Sequence, residues 1–502
     1  MKANQRGIGI ILNYLTEGIR VLTVLLVTPV MLRLLGRQEY GLYQMATSVV
    51  SYLSLLNFGF GNAYVRWYAK SLVKGDTEEE PRLNGMFLLI FGALALVCLL
   101  CGMGIARRTE LVFGENLSSG ELETAGKLVQ ILTLTLSLTL IGCIFDSQIT
   151  AREHFLFQKM MRLLQALLTP LLTLPLLYKG HGAQHVAMVS LVLTAASWAG
   201  NGVYCRNCLN MRFSFRNMQI SRLREIWGFT FFIFLNQIID QINWSVDKFL
   251  LGRMCGTAAV AVYGIGAQIN TLYMHLSTAV SSVFLPKINR IAAGTSDNRQ
   301  LSELLSQVGT FQALVAGLVL SGFLLFGRPF LSLWAGEGYE QAYEVALLLM
   351  VPMTVPLMQN LGIEILRARN RHRTRSLVCA ALAVGNILLS IRWIPRFGTV
   401  GAAAGTAASI LLGNVLFMNW YYQRHMQLDM KRFWRSIGAL VPGWLIAIPL
   451  GKLLLRLLVP NSWPSLIAGA ALYAGIYCAV LGSLCLKKAD RQSLRQCFRK
   501  IE

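Results

Sequence analysis

The chain has 502 residues, of which 55% are apolar and only 14% charged, yet its formal net charge at pH 7 is +22. Soluble domains carry about 25% charged residues, so this composition excludes an ordinary soluble protein. The Lys and Arg residues stand in short clusters between long apolar runs rather than in one tail. That pattern disfavours nucleic-acid binding and is typical of the loops of a polytopic membrane protein.

About fourteen apolar runs are long enough to cross a bilayer, which takes roughly 20 helical residues. We predict spans at 9–34, 42–65, 83–105, 124–145, 158–178, 183–204, 227–251, 257–284, 304–326, 342–363, 376–393, 399–421, 433–456 and 464–486. No small-residue cleavage site follows the first run, so we expect it to be a retained helix and not a signal peptide. All loops are short, and the sequence therefore predicts an all-α polytopic membrane protein without appended domains.

Basic clusters follow the even-numbered spans and flank both ends of the chain. The cluster after the tenth span, Arg367, Arg369, Arg371, Arg373 and Arg375, is one example. Because loops rich in Lys and Arg stay in the cytoplasm, we expect both termini to be cytoplasmic and the number of spans to be even.

Two short motifs recur at nearly the same offset. Leu34-Leu35-Gly36-Arg37 closes the first span and Leu250-Leu251-Gly252-Arg253 the seventh; Ala151-Arg152-Glu153-His154 follows the fourth span and Ala368-Arg369-Asn370-Arg371-His372 the tenth. The offset covers six helices, which predicts two parallel repeats around a central cavity, a transporter architecture. We expect an N-lobe at 1–215, a C-lobe at 216–430, and two extra helices with a basic tail at 431–502.

The predicted first span carries Asn13, Glu17 and Arg20 on one helical face. Charged groups inside a span are costly and indicate a functional site. The alternative interpretation is that Glu17 and Arg20 only neutralise each other as an intrahelical pair.

The seventh span carries a denser stripe of Asn236, Asp240, Asn243 and Asp247, with Lys248 beside it, which predicts a water-filled cavity or a polar interface. Lys248 and Asp247 lie near the outer end of the span, where snorkelling is a simpler explanation. The eighth span adds Asn270. These polar helices are the first ones of each predicted repeat, so we expect them to face one another across the cavity.

Motifs for catalysis or metal binding are missing from the sequence, and its scattered cysteines lack zinc-site spacing. We therefore predict a transporter and not an enzyme, without a metal or other cofactor.

Four segments resemble the oligosaccharide flippase (polysaccharide biosynthesis export) family of the multidrug/oligosaccharidyl-lipid/polysaccharide superfamily. They are Gly36-Arg37-Gln38-Glu39-Tyr40-Gly41-Leu42-Tyr43, Leu56-Asn57-Phe58-Gly59-Phe60-Gly61-Asn62 with Arg66, Asp247-Lys248-Phe249-Leu250-Leu251-Gly252, and Ile363-Glu364-Ile365-Leu366-Arg367-Ala368-Arg369-Asn370. The resemblance implies an alternating-access protein of the bacterial inner membrane. It would move an undecaprenyl-diphosphate-linked oligosaccharide for capsule, exopolysaccharide or O-antigen assembly, alongside membrane lipids and the assembly enzymes.

The resemblance also implies roles for individual residues. Arg20, with Arg66 and Lys248 as weaker candidates, would bind the diphosphate, and Asn243 and Asn270 would line the cavity. Glu17, Asp240 and Asp247 are candidates for coupling to protons or sodium. The alternatives are a multidrug and toxic compound extrusion antiporter, a lipid II flippase (whose cavity has several arginines) and, less favoured, a membrane polymerase or ligase of lipid-linked sugars.

Overall fold

The computed structural model describes residues 2–74, 79–114, 117–216, 221–294, 298–369, 372–458 and 460–484. In these ranges the backbone forms helices and turns, without a β-strand. The predicted all-α polytopic fold is therefore confirmed. The chain divides into two compact units, residues 1–261 and 262–502. The predicted lobe boundaries after residues 215 and 430 stay a prediction.

The described part of the first unit contains the long helix α1 and seven further helices before α9 begins at the unit's end. Its helices are α1 (Lys2–Leu53), α2 (Phe60–Lys74), α3 (Glu79–Arg107), α4 (Thr109–Phe113), α5 (Ser119–Ala151), α6 (Phe155–Tyr178), α7 (Ala183–Asn207) and α8 (Ser221–Cys255). Helix α1 holds the first predicted span and the first half of the second, which continues through a 3₁₀ turn (Ser54–Asn57) into α2. It is broken at Gly36, whose φ of 74° and ψ of 175° are accessible to glycine without strain.

The second unit continues the same pattern. Its helices are α9 (Thr257–Gly294), which begins in the last residues of the first unit, α10 (Asn298–Trp334), α11 (Gln341–Met358), α12 (Asn360–Ala368), α13 (His372–Ile410), α14 (Met418–Arg424), α15 (Met430–Gly438), α16 (Val441–Leu458) and α17 (Trp463–Leu484). Helix α13 bends at Gly398, where φ is 56°. A π-helical segment, Leu411–Phe417, joins it to α14.

Ten helical segments of the described chain are long and apolar enough to cross a membrane. Two of them, Leu15–Ser71 with 57 residues and Thr374–Arg424 with 51, have the length of two crossings each. Helices α8 and α9 carry the predicted seventh and eighth spans, and several of their side chains are not described. With these two helices, the structure accommodates all the predicted spans, and the chain is a multi-pass membrane protein.

Helix ends recur in register along the two halves of the chain. Glycines with positive φ mark three pairs of breaks: Gly36 and Gly256, Gly114 and Gly336, and Gly180 and Gly398. Within each pair the second glycine follows the first at nearly the same distance along the chain. The second recurring motif has the same register, because α5 ends at Ala151 and α12 ends at Ala368. This register supports the predicted six-helix repeat.

Polar contacts join the helix ends of the first unit around an aromatic core. Glu80, at the start of α3, accepts hydrogen bonds from Arg152 Nη2 (2.6 Å) and from Gln148 Nε2 (3.0 Å) near the end of α5. Tyr64 of α2 donates to Asn84 Oδ1 at 2.6 Å. Helix α5 in turn packs against α1, α6 and α7. The framework therefore holds α1 and α6 side by side.

The two helices outside the repeat are part of the core of the second unit. Tyr473 and Tyr477 of α17 are 1% and 3% exposed. Trp444 of α16 donates to the Tyr477 hydroxyl at 2.9 Å, and that hydroxyl donates to the carbonyl oxygen of Leu314 in α10, also at 2.9 Å. A buried hydroxyl with both a donor and an acceptor partner fixes these three helices together.

Candidate functional site

A cavity of about 570 Å³ lies between the first half of α1 and α6. Its lining consists of Thr16, Glu17, Arg20, Thr23 and Val24 from α1, and of Lys159, Arg162, Gln165, Ala166 and Thr169 from α6. We call this the α1–α6 cavity. Its volume falls in the usual range of small-molecule sites, roughly 300–1,000 Å³.

Helical periodicity explains why these side chains meet. On α1, Glu17 and Arg20 are three residues apart, and on α6, Lys159 and Arg162 have the same spacing, so each pair lies on one face of its helix. Thr169 continues the α6 face, with its hydroxyl donating to the Gln165 carbonyl oxygen at 2.7 Å. Because α1 and α6 pack against each other, the two polar faces are brought together.

The cavity is positively charged, since three cations and one carboxylate line it. Arg20 Nη1 lies 3.7 Å from Glu17 Oε2, and these side chains are 67% and 40% exposed. Arg162 is also exposed and Lys159 half-buried. An exposed pair of this kind contributes little to stability, and it leaves the guanidinium donors accessible to a ligand. The arrangement therefore suits an anion with several oxygen atoms.

Lys159 and Arg162 are site residues that the sequence interpretation missed. Both lie inside the predicted fifth span, where charged groups are costly, so a signal was present in the sequence. Their position near one end of that span made them resemble ordinary loop cations. The structure shows that they face the same cavity as Arg20 and Glu17.

A second polar region lies where the second half of α1 packs against α8. We call it the α1–α8 interface; its residues are Gln44, Met45, Ser48 and Ser51 on α1, and Gln241, Ser245, Lys248 and Gly252 on α8. Lys248 Nζ donates to Gln44 Oε1 at 3.0 Å, and Gln44 Nε2 donates to the Tyr40 hydroxyl at 2.8 Å. The structure therefore places Lys248 in a helix contact, and it is not among the residues lining the α1–α6 cavity.

Small side chains bring these helices close together. The Ser48 hydroxyl donates to the Ser245 carbonyl oxygen at 2.7 Å, and Gln241 Nε2 donates to Ser245 Oγ at 2.6 Å. A Cβ at Gly252 would lie 2.2 Å from Met45 Sδ, so a larger residue there requires the Met45 side chain to move. Next to this interface, a Cβ at Gly41 would lie 1.9 Å from the backbone oxygen of Thr257, the first residue of α9, which leaves room only for glycine.

The remaining predicted residues occupy other places. The Arg66 guanidinium lies 5.5 Å from the centre of the Trp67 ring, and Arg66 does not line the α1–α6 cavity. Asp247 is 1% exposed in α8. Asn270 is fully buried in α9, where its Oδ1 accepts no hydrogen bond from the described residues. The side chains of Asp240 and Asn243 lie outside the described residues.

Metal binding has no support in the part of the chain that the structure describes. No group of three or more His, Cys, Asp or Glu side chains there is arranged to hold an ion.

Solved structures with the same fold are membrane transporters. The lipid II flippase MurJ in an inward closed conformation superposes with a TM-score of 0.71 at 16% identity, covering 94% of this chain and 99% of that one. A multidrug resistance MATE family transporter of the MOP superfamily, inward-facing, superposes with a TM-score of 0.63 at 13% identity, covering 82% and 98%. At these identities the likeness shows the fold.

Curated relatives extend over most of the chain. The membrane protein EpsK of Bacillus subtilis is 23% identical over 95% of this chain and 94% of its own length. A putative O-antigen transporter of Shigella flexneri is 19% identical over 78% and 91%. The probable flippase AglR of Haloferax volcanii is 24% identical over 78% of each chain.

The helical fold and the charged cavity define a multi-pass membrane protein of the transporter type. The family model described as polysaccharide biosynthesis protein matches residues 7–292, more than half of the chain. The chain therefore belongs to that family, and the resemblance seen in its sequence motifs is confirmed.

Proposed function

We propose that this protein is an alternating-access flippase that moves an undecaprenyl-diphosphate-linked oligosaccharide across the bacterial inner membrane. The observation that carries the proposal is the α1–α6 cavity, in which Arg20, Lys159 and Arg162 outnumber the one carboxylate of Glu17. Membership of the polysaccharide biosynthesis family and relatives named as an O-antigen transporter and a flippase support the same substrate class.

Diphosphate recognition follows from the chemistry of these cations. A guanidinium presents paired N–H donors that match two phosphate oxygens, whereas a lysine ammonium acts as a point charge. Arg20 and Arg162 would each clamp phosphate oxygens, and Lys159 would add charge beside them. A diphosphate cannot cross hydrocarbon unaided, because burying unpaired charge is prohibitive. The cavity replaces its water with protein donors, while the polyprenyl tail stays in lipid.

The positive cavity also separates this proposal from its rivals. A multidrug antiporter for organic cations needs a site of negative charge, and the α1–α6 cavity has the opposite sign. A polymerase or ligase needs catalytic groups, and the relatives from Shigella flexneri and Haloferax volcanii are named as a transporter and a flippase. A lipid II flippase is expected to have several arginines in its cavity. Arg20 and Arg162 both line the α1–α6 cavity, so lipid II joins the substrates to be tested.

In the proposed orientation both termini face the cytoplasm, as the basic loops predict. Glu17, Asp240 and Asp247 are the proposed ion-coupling carboxylates, with the polysaccharide-assembly enzymes as downstream partners. Asp240→Asn and Asp247→Asn each remove one carboxylate at almost constant size. Transport that responds equally to an imposed proton or sodium gradient in wild type and in one variant would remove that residue from the coupling role.

The test is translocation of a fluorescent polyprenyl-diphosphate oligosaccharide in proteoliposomes, with Arg20→Ala beside wild type. A hydrogen bond to a charged group contributes about 1.5–3 kcal/mol, so we expect substrate affinity to fall at least about tenfold. Lys127→Gln is the control, since Lys127 is an exposed cation that pairs with Glu123 at 2.7 Å. It should transport like wild type.

Two results would reject parts of the proposal. Full activity of a folded Arg20→Ala protein would show that the α1–α6 cavity does not bind the diphosphate. Export of cationic dyes against a gradient, with no movement of any lipid-linked sugar or of lipid II, would assign the chain to the multidrug branch.

A further inference from the structure

Helix α15 has two faces of opposite chemistry. Met430, Phe433 and Ile437 are at most 4% exposed and belong to the apolar core of the second unit. Lys431 and Arg435, one helical turn apart, are exposed on the other side. Since the apolar face is already packed against protein, the basic face is the one left to meet the surroundings.

The position of α15 in the chain places this basic face at the membrane surface. Helix α14 closes the membrane segment Thr374–Arg424, and the next such segment, Met430–Leu458, begins with α15 itself. Two exposed tryptophans flank the region, Trp420 at 53% and Trp434 at 36%. Tryptophan is enriched at the level of lipid headgroups, so both indoles suit that depth.

The two cations on this face lack the protein partners that other cations nearby have. Arg432 pairs with Glu303 at 2.9 Å, and the Asp429 carboxylate caps α15 by accepting the Arg432 backbone N–H at 2.9 Å. Lys431 and Arg435 form no ion pair with a described carboxylate. Like charges four residues apart destabilise an isolated helix, which an anion between them would reverse.

Hydrogen bonds hold Trp434 in a fixed position beside the basic face of α15. Its indole N–H donates to Asn419 Oδ1 at 2.7 Å, and the same oxygen accepts from Gln359 Nε2 at 2.8 Å. These bonds fix the orientation of the indole ring, part of which stays exposed. In the chain, Trp434 lies between Lys431 and Arg435. A ligand there would meet two cations beside a fixed apolar plane.

We propose that Lys431, Trp434 and Arg435 form a binding site for the phosphate headgroup of an anionic lipid of the surrounding membrane. The cations match the phosphate charge, and the indole matches the boundary between headgroup and acyl chain. A soluble anion would gain nothing from the tryptophan or from the interfacial depth. The site is independent of the α1–α6 cavity and does not rest on the proposed transport function.

The test uses full-length protein in detergent, titrated with phosphatidylglycerol or phosphatidylcholine, with bound lipid counted by native mass spectrometry. We expect Lys431→Gln/Arg435→Gln to weaken phosphatidylglycerol binding about tenfold, and each single variant about threefold. Phosphatidylcholine binding should not change. The matched control is Arg299→Gln/Arg432→Gln, which removes two exposed cations that both pair with Glu303, and it should bind phosphatidylglycerol like wild type.

Two results would overturn the proposal. Equal weakening in both double variants would show a general effect of net charge instead of a site. Displacement of phosphatidylglycerol by inorganic phosphate at equal concentration would show a site for a soluble anion. The four substituted side chains are exposed, so unchanged unfolding midpoints without added lipid will show that the variants are folded.

Discussion

The two halves of helix α1, on either side of Gly36, meet their neighbours in opposite ways. The first half faces α6 across an open cavity, with Arg20 67% exposed. The second half packs against α8 and against the start of α9, where Thr257 leaves Gly41 no room for a Cβ. One region keeps charge accessible, and the other joins helices through glycines and neutral polar groups.

The difference shows how polar residues in a membrane helix are used. At the α1–α8 interface, hydroxyls and amides satisfy one another, as interhelical hydrogen bonds in membrane proteins do. In the α1–α6 cavity the lining cations outnumber the lining carboxylate. A polar stripe in the sequence therefore indicates packing where neutral groups of two helices bind each other, and a binding site where charges mostly of one sign line a cavity.

The largest expected effect is in the second half of α1, where Gly41 meets the first residue of α9 beside the α1–α8 interface. Gly41→Ala places a Cβ 1.9 Å from the Thr257 backbone oxygen, which cannot rotate away. We expect the free energy of unfolding to fall by about 3 kcal/mol, measured by denaturant unfolding in micelles. Gly18→Ala is the control on the same helix, because its Cβ would meet no atom within 4 Å. Equal stability of the two variants would contradict the close packing.

In the α1–α6 cavity we expect the opposite result, a loss of binding without a loss of stability. Lys159→Gln and Arg162→Gln should each lower affinity for a polyprenyl diphosphate about tenfold, because each removes a charged donor. Unfolding midpoints should match wild type. Binding to lipid-loaded nanodiscs measures the first quantity and thermal unfolding the second. A stability loss with normal binding would mean that these cations only support packing.

The same substitution at Lys248 and at Lys159 should have opposite effects in the two regions. Lys248→Met keeps an unbranched side chain, shorter only by the ammonium, and removes the hydrogen bond to Gln44. We therefore expect a stability change of about 1 kcal/mol and unaltered substrate binding. Lys159→Met should instead reduce binding and leave stability unaltered. The two assays applied to both variants check this, and reduced binding in Lys248→Met would return Lys248 to the substrate site.

Glu17→Gln should give the smallest change. It removes the carboxylate near Arg20 while keeping the size of the side chain. Because attraction between exposed charges is typically under about 1 kcal/mol, we expect affinity for the anionic headgroup to rise about threefold. The same titration in high salt should reduce the gain, since exposed charges are screened. A loss of affinity would give Glu17 a direct contact with substrate.

Hydropathy was sufficient to predict the spans, because each crossing must satisfy its own backbone and stay apolar. It could not show that the first predicted span and the start of the second belong to one helix, α1, which is broken at Gly36. The residues between these spans include Arg37 and Glu39, polar groups typical of a loop. Their helical state depends on contacts with distant segments, such as the Glu39 carboxylate accepting the Ala183 backbone N–H at 2.6 Å.

Only the α1 side of the candidate site could be predicted from the sequence. Arg20 and Glu17 stood out because they lie deep in an apolar run, and the structure places both in the cavity. Lys159 and Arg162 lie near a span end, where cations are common, so only the packing of α6 on α1 identifies them. The fit of Gly41 against Thr257 was likewise beyond sequence reasoning, since the two residues are distant in the chain.

The packing of the last two helices predicts the effect of a truncating mutation. Helices α16 and α17 are joined to α10 through the Tyr477 hydroxyl, which accepts a hydrogen bond from Trp444 and donates one to the Leu314 carbonyl oxygen. A stop codon after residue 440 would leave every codon of the α1–α6 cavity intact, yet it would strip the apolar partners from α10. Such an allele should behave as a null, its product removed by quality-control proteases rather than inserted as a shorter transporter.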